Sequence, residues 1–571
     1  MLSFNFFDGL AADHGVNSLW FLLLAACALY GGSRLAANSS DPREPPEVKP
    51  KIPVIGHIIG VLGFRQSYYR QLGLPRQRAD DENTVITGAW YRRQNEKRPI
   101  YSISMGSQKT YIIQAPQLVQ AAMRNKALNF YPIMAEFAEK IVGFGPNFMD
   151  LFNNPPTDGS LSWSEDMHPA YMPLSPGPDL HEMNTYVLNQ ISGILNPIGA
   201  EFETVKIYLW FRDAFTKATV GSLFGHENSL TADPNLCQNL WDYDAGQSQL
   251  LLQPLPSITA RRAYNGRANV QRALRKYFRQ DFERLTDVSA VVKRRVATNR
   301  KWGISGTDVA DHEFGMMFVS VTNAVPTLFW MVCYVFRDPG LVAELRGELL
   351  RVVDVQQETE ADDAASPGNS KRRRCVVTVA GLQRECPLLV STYKEVMRVT
   401  NRHMGMRRVV EDTVVSYTPP PGESGQAAGT RTYLLKKGAN IQAPSVIANF
   451  LPEAWGPDAH EFDARRFATA DRERERAQNR AFNPFGGGKH LCPGRFFADS
   501  EILGAVAALV LGYEIETPEG GRIEVPPINN NLAEAVGKPV ESVRENMLAR
   551  IRRRPGWEDV EWSYVANNGR V

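Results

Sequence analysis

Apolar positions along this chain fall into three kinds of run. The first, residues 17–32, reads NSLWFLLLAACALYGG, uncharged throughout, with Trp20 and Tyr30 near its two ends. A bilayer span takes roughly 20 apolar residues, so this shorter run is predicted to be a membrane anchor that tilts, thins the bilayer or borrows its flanks. Residues 1–16 carry Asp8 and Asp13 but no Lys or Arg, which argues against a cleaved leader. Arg34, Arg43, Lys49 and Lys51 follow the run instead. The positive-inside tendency then leaves residues 1–16 lumenal and the remaining chain cytosolic. Residues 33–53 space five prolines between Pro42 and Pro53, predicting a stiff, extended tether.

The second run, residues 312–340, reads HEFGMMFVSVTNAVPTLFWMVCYVFRDPG and stops at Asp338, Pro339 and Gly340. Soluble-looking flanks and an interior Pro326, which kinks helices, predict one long buried helix rather than a second span. The third kind is short and alternating. Residues 99–125 predict a hairpin followed by a helix, and 407–415 and 432–450 predict strands. Stretches 356–374 and 419–431 lack an apolar period and are predicted loops, with the basic residues 371–374 a solvated insertion.

Composition narrows the class. With 43% apolar and 22% charged residues in 571, the bulk is globular, and the length allows a core able to bury a cofactor. Basic residues number 64 and acidic 62, a net charge of +2, so no global field recruits nucleic acid. The six cysteines, Cys27, Cys237, Cys333, Cys375, Cys386 and Cys492, lie far apart without a CxxC pair. That spacing disfavours a disulfide framework and fits a reducing compartment.

Candidate chemistry concentrates in residues 481–513, AFNPFGGGKHLCPGRFFADSEILGAVAALVLGY. Gly486, Gly487 and Gly488 let the backbone take positive φ and approach a flat ligand. Pro493 and Gly494 end the loop, and apolar residues recur at helical spacing from Phe496. Cys492 thus precedes a helix N-terminus, where the dipole and free amides favour thiolate over thiol and make a good iron ligand. Phe485, Gly488, His490, Cys492 and Gly494 resemble the haem-binding signature of the cytochrome P-450 superfamily. His490 stands where that family most often has arginine and by resemblance faces a haem propionate. Glu395 and Arg398, three apart on one helix face, resemble the family's glutamate-x-x-arginine pair. Arg466, in FDARRF, resembles the arginine that closes that buried triad. These three are structural in the family. Arg407, nine residues after Arg398, is a candidate propionate partner. No tryptophan-containing propionate helix is placed between Phe130 and Ala200.

Counting back from Pro339, the family pattern of alanine, glycine, any residue, acid and threonine falls on Val319, Ser320, Val321, Thr322 and Asn323. Thr322 replaces the acid and Asn323 the threonine. Asparagine followed closely by proline resembles the branch with bile-acid-pathway sterol hydroxylases, prostacyclin synthase and fungal secondary-metabolism enzymes. The resemblance implies a mainly α fold with small β-sheets over residues 54–571 and haem b held by the Cys492 thiolate. It further implies an endoplasmic reticulum membrane location and a dioxygen-dependent monooxygenase acting on a terpenoid, sterol, polyketide or fatty acid in secondary metabolism. Val319, Thr322 and Asn323 are candidate wall residues, Thr322 and Asn323 also the candidate catalytic pair. No flavin or nicotinamide motif accompanies the haem segment, so electrons are expected from NADPH through a separate cytochrome P-450 reductase. Membrane lipid and a lipophilic substrate are the other expected partners. Two readings stay open beside this one: a reductase-independent peroxide isomerase or dehydratase, which Asn323 suits, and a non-catalytic haem- or lipid-binding protein.

Overall fold

The alternation at 99–125 folds as predicted. In a computed structural model, strand Ile100–Met105 pairs antiparallel with Gln108–Ile113, Ile100 opposite Ile113. Gly106 opens the turn at φ 64°, a conformation that suits glycine. Helix Pro116–Arg124 follows, with proline in its first turn where a missing N–H costs nothing. The structure describes residues 41–50, 52, 56–73, 98–106, 108–279, 282–304, 306–357, 373–419 and 429–565. The expected lumenal segment and anchor lie outside the described residues, as do 358–372 and 420–428 of the two expected loops. The described residues divide into two compact units: those of Met1–Asn129 with Gly405–Ile447, and those of Phe130–Met404 with Ala448–Val571.

The first unit centres on a five-stranded sheet. Its spatial order is Ile100–Met105, Gln108–Ile113, Asn440–Pro444, Met404–Val409 and Leu128–Asn129. A hairpin of Thr413–Tyr417 with Arg431–Leu435 accompanies it, over a core that includes Tyr111, Leu118, Val409, Val415 and Ile441. The strand predictions at 407–415 and 432–450 thus hold at 407–409, 413–415, 432–435 and 440–444, with turns at 410–412, 436–439 and 449–450 and a helical turn at Ser445–Ala448. Part of the stretch expected as a tether is packed instead. The Val48 N–H donates to Ser102 O at 2.8 Å, and the Ser102 N–H donates to Pro46 O at 3.0 Å. Lys109 Nζ and the Tyr111 hydroxyl donate to Glu44 at 2.7 and 2.6 Å. The outer strand offers unpaired backbone groups, and fully buried Val48 supplies the apolar contact that holds the segment there.

The second unit is helical. Seven of its helices position the site: α1 (Pro178–Leu195), α2 (Ile207–Phe224), α3 (Asn235–Ala245), α4 (Thr307–Val321), α5 (Ala324–Phe336), α6 (Pro387–Thr400) and α7 (Arg495–Gly512). The single helix expected at 312–340 is therefore two, α4 and α5, divided at Thr322–Asn323. Pro326 has no N–H to give to the Thr322 carbonyl, so the ladder breaks one turn before the proline. The pair is the only stretch among the described residues long and apolar enough to cross a bilayer, and 83% of its apolar window is buried, as in a core helix. Asp338 ends it by capping the next helix, accepting from the Gly340 and Leu341 amides at 2.9 and 3.3 Å.

α7 is buried from Ser500 to Gly512 on every face. Glycines allow that. A Cβ at Gly504 would stand 2.6 Å from Leu188 of α1, and one at Gly512 would stand 2.4 Å from Trp562. Two three-stranded sheets flank the helices, in the orders Tyr513–Glu516, Leu548–Arg553, Glu203–Lys206 and Val560–Val565, Arg373–Thr378, Asp354–Gln357. The second of these corrects the expected loop at 356–374: Gln356, Gln357, Arg373 and Arg374 are strand residues. Buried Cys375 and Val377 carry an alternating pattern into the basic run, and Arg373 is an ion-pair partner of Asp559 at 2.6 Å rather than a solvated charge.

Candidate functional site

The cysteine loop is closed by its own backbone. The Cys492 N–H donates to Phe485 O at 3.0 Å, and the Leu491 N–H donates to Gly488 O at 3.3 Å. Gly486 and Gly488 take φ of 75° and 66°, which any side chain would strain. Gly494 caps α7, so the Cys492 sulfur receives the amides of Gly494 and Arg495, and the Arg495 guanidinium donates to Cys492 O at 2.9 Å. Burial nevertheless dominates and pushes the thiol above its ordinary value, with the two amides and the Arg495 charge only opposing it. A metal cation bound at the sulfur would act with the two amides and Arg495 to favour the thiolate.

Around the sulfur, Gly488, Lys489 and Pro493 are exposed and Leu491 is 40% exposed. Phe485 is half-buried against the main core. The His490 ring lies against Phe130 and Tyr131, with centroids 5.3 and 5.2 Å away.

Within the same unit, Glu395, Arg398 and Arg466 meet as the spacing suggested. Arg398 donates from Nε and Nη2 to the two Glu395 oxygens, both at 2.7 Å, and Arg466 Nε donates to Oε1 at 3.0 Å. All three side chains are fully buried. Their remaining donors reach carbonyls of Asn449, Ala459, Glu461 and Trp455, and the Asp463 amide donates to Glu395 Oε1. Burial on this scale is tolerated because every charge is paired and hydrogen-bonded.

α4 and α5 carry the residues expected on the distal side. Met316, Met317, Phe318 and Val321 are buried, yet Val319 between them is 54% exposed. Gly315, Ser320 and Asn323 share that side at helical spacing, so an open stripe runs along an otherwise enclosed helix. Asn323 is exposed, and its side-chain amide makes no hydrogen bond among the described residues. Its carbonyl accepts from Thr327. Thr322 is 4% exposed and turned into the protein. The two candidate catalytic residues thus face different surroundings.

Arg407 sits in the first unit, where it donates to Met406 O at 2.7 Å and approaches Met123 Sδ at 2.9 Å. Burial lowers its pKa. A tryptophan-bearing helix does occur between 130 and 200, at Trp163–Met167. The Trp163 indole is 4% exposed and donates to Asn299 at 3.1 Å, a core contact. Sequence reasoning also passed over two acids on α7. Asp499 accepts from the Tyr393 hydroxyl at 2.7 Å, and burial raises its pKa to about 6. Glu501, fully buried, accepts from Thr219 at 3.0 Å. Burial raises it to about 8, and its Oε1 has no partner among the described residues. Asp499 and Glu501 are the only charges between Phe496 and Gly512, a signal the apolar spacing obscured.

The donor set discriminates between kinds of metal. No group of three or more His, Cys, Asp or Glu able to hold an ion occurs among the described residues, and Cys492 offers one soft sulfur. Such a site suits a metal that brings its other ligands with it, as iron in a macrocycle does. The glycine loop and the exposed Leu491 beside Cys492 fit a flat apolar group.

The family model described as Cytochrome P450 matches residues 249–541. A Gibberella zeae protein described as a cytochrome P450 monooxygenase is 31% identical over 572 residues, 98% of this chain and 99% of that one. The chain belongs to the cytochrome P450 family. A more distant relative, the 5-beta-cholestane-3-alpha,7-alpha-diol 12-alpha-hydroxylase of Sus scrofa, is 22% identical over 86% of this chain and 89% of its own. Among solved structures, retinoic acid bound cyanobacterial CYP120A1 superposes with a TM-score of 0.60 at 15% identity, covering 90% of this chain and 99% of that one. That likeness gives the P450 fold. As a cytochrome P450 the protein is an oxidoreductase of a haem-thiolate family.

Proposed function

We propose that this cytochrome P450 is a monooxygenase that oxidises a lipophilic molecule of terpenoid, sterol, polyketide or fatty-acid class in secondary metabolism, with Cys492 as the axial thiolate. The observation that carries the reading is the open stripe of Gly315, Val319, Ser320 and Asn323 on a helix buried over most of its remaining length, in a unit whose amide-cradled thiol lies just before α7. When bound, haem supplies the activation of dioxygen, and an axial thiolate favours cleavage of the oxygen–oxygen bond. Phe485, Gly488 and His490 shape the cradle, His490 toward a propionate. Glu395, Arg398 and Arg466 hold the layer beneath it rigid. Val319 presents an apolar contact to the substrate and excludes water. Asn323 Oδ1 accepts and Nδ2 donates, so its uncommitted amide can hold a water or position a proton next to the reacting oxygen. Thr322, buried, packs inward at the break that Pro326 causes, which leaves Asn323 outward. The fungal and sterol-hydroxylase relatives support a lipophilic substrate.

Electrons come from NADPH through a separate reductase, and residues 17–32 anchor the chain at the endoplasmic reticulum with the haem domain cytosolic. The test supplies reductase, NADPH and isotopically labelled dioxygen to the purified protein with a panel of such lipids and reads product mass. One labelled oxygen atom in a product is the expected result. The uncommitted Asn323 amide also suits rearrangement of a peroxide, so turnover of a lipid hydroperoxide without reductase, and none with it, would replace the monooxygenase reading.

A further inference from the structure

A second buried polar cluster lies apart from the cysteine loop, where α3 meets the loop of residues 529–538. Lys538 Nζ donates to Asp244 Oδ2 at 2.5 Å, with the two side chains 3% and 1% exposed. Gln247 holds the other Asp244 oxygen at 3.1 Å. Glu534 accepts the Lys538 amide at 3.0 Å, and the ammonium stands 5.7 Å from the centre of the Trp241 ring. One turn on, Ser248 donates to Asn531 at 2.5 Å. Segments almost 300 residues apart are thus buttoned together by polar contacts sealed from water.

Both sides of that seam pack on the distal helices. From α3, the Tyr243 ring meets Phe314 and Phe318 at 4.9 and 5.0 Å, the residues beside Gly315 and Val319 of the open stripe. From the loop, Gly537 O accepts the Trp330 indole of α5 at 2.6 Å. An apolar pair would hold such a seam with a smaller desolvation penalty. An ion pair differs in that water can open it by hydrating both ends. The closed seam also leaves the buried Tyr208 and Tyr243 hydroxyls without partners among the described residues, and opening would let water satisfy them.

We propose that the Asp244–Lys538 pair is a latch that positions α3 and the 529–538 loop over the distal helices, so that its opening sets how fast a ligand reaches the Val319–Asn323 stripe. Asp244 and Lys538 are positioning residues: they act through α3 and the loop rather than by touching substrate. The inference rests on the haem reading above, and its test separates the two. The association rate of 1-phenylimidazole with the full-length haem protein is followed in a stopped-flow spectrometer for the wild type, Asp244→Asn, Lys538→Met and the double variant. Each single variant leaves the opposite charge without its ion-pair partner, Glu534 being the remaining acid near Lys538, so water enters the seam and association quickens about tenfold at unchanged haem content. The double variant removes both members of the pair, leaving Glu534 to accept the residue-538 amide, and returns to within about twofold of wild type. A role in packing alone would not produce that return. Singles that bind at the wild-type rate, or a double as fast as the singles, would overturn the latch. Should Lys538→Met lose its haem, Asp244→Asn against the double decides, the double having to be slower. A wild type with no haem absorption would overturn the haem reading, and the latch with it, before any rate is compared.

Discussion

Replacing Glu395 by Gln keeps the shape of the most heavily hydrogen-bonded buried acid in the second unit and removes its charge. The carboxylate accepts four bonds: Oε2 one from Arg398 Nε, and Oε1 one each from Arg398 Nη2, Arg466 Nε and the Asp463 amide. A glutamine whose oxygen takes the Oε1 place must point its NH2 at Arg398 Nε, donor against donor. Turning it over sets the NH2 against three donors instead. In either orientation two guanidiniums with no exposed surface lose their shared counterion, with Asp458 left to Arg466 alone. Removing one partner of a buried pair costs about 3–5 kcal/mol, a large fraction of the roughly 5–15 kcal/mol that holds a domain folded. Urea unfolding of the haem-loaded protein, read by tryptophan fluorescence and by haem absorption, is expected to shift by that amount, haem loss preceding or accompanying global unfolding. A variant whose unfolding free energy falls by less than about 1 kcal/mol would refute the argument, because that is the scale of an exposed ion pair and the triad would then not be the buried charge system described.

Three further outcomes are expected. Cys492→Ser should fold, since the side chain is only part-buried, but the reduced protein under carbon monoxide should lose the thiolate-type absorption band; its persistence would remove Cys492 as ligand. Asn323→Ala should leave stability within about 0.5 kcal/mol, as for surface changes generally, while the peroxide released per NADPH consumed rises; an unaltered ratio would deny the amide a part in proton positioning. Glu501 is raised by burial to about 8 from an ordinary 4.5, so the folded state holds a proton that the unfolded state releases. Its contribution to stability is full below about 4.5 and is lost as pH rises toward 8. Denaturation midpoints measured across that window should fall with pH in the wild type more steeply than in Glu501→Gln, and parallel profiles would contradict the assignment.

What could be read from the chain alone was whatever its chemistry writes locally. Gly486 to Gly494 advertises a loop because glycine and proline act on their own backbone, and Glu395 with Arg398 because three residues make one helical face. The hairpin at 100–113 was legible through a period of two. Contacts set by packing were not. Nothing near Lys538 announces Asp244, and nothing near Glu44 announces Lys109, since each pairing depends on elements brought together by the core. The helix break was anticipated at Pro326 but falls at Thr322–Asn323, because a proline's missing N–H is felt four residues earlier. Arg373 looked solvated because its partner Asp559 belongs to a strand about 190 residues on.

The parallel pairing of Arg373–Thr378 with Val560–Val565 also bears on biosynthesis. The earlier strand leaves the ribosome about 190 residues before the later one, which at roughly 5–20 residues per second is about 10–40 s of translation. Throughout that interval Arg373–Thr378 has Asp354–Gln357 on one side only, and its other edge, with Cys375 and Val377 meant for the interior, lies open to any passing strand. The nascent chain therefore carries an adhesive border until Val560–Val565 emerges, and a ribosome stalled short of residue 560 would release a product predisposed to aggregate.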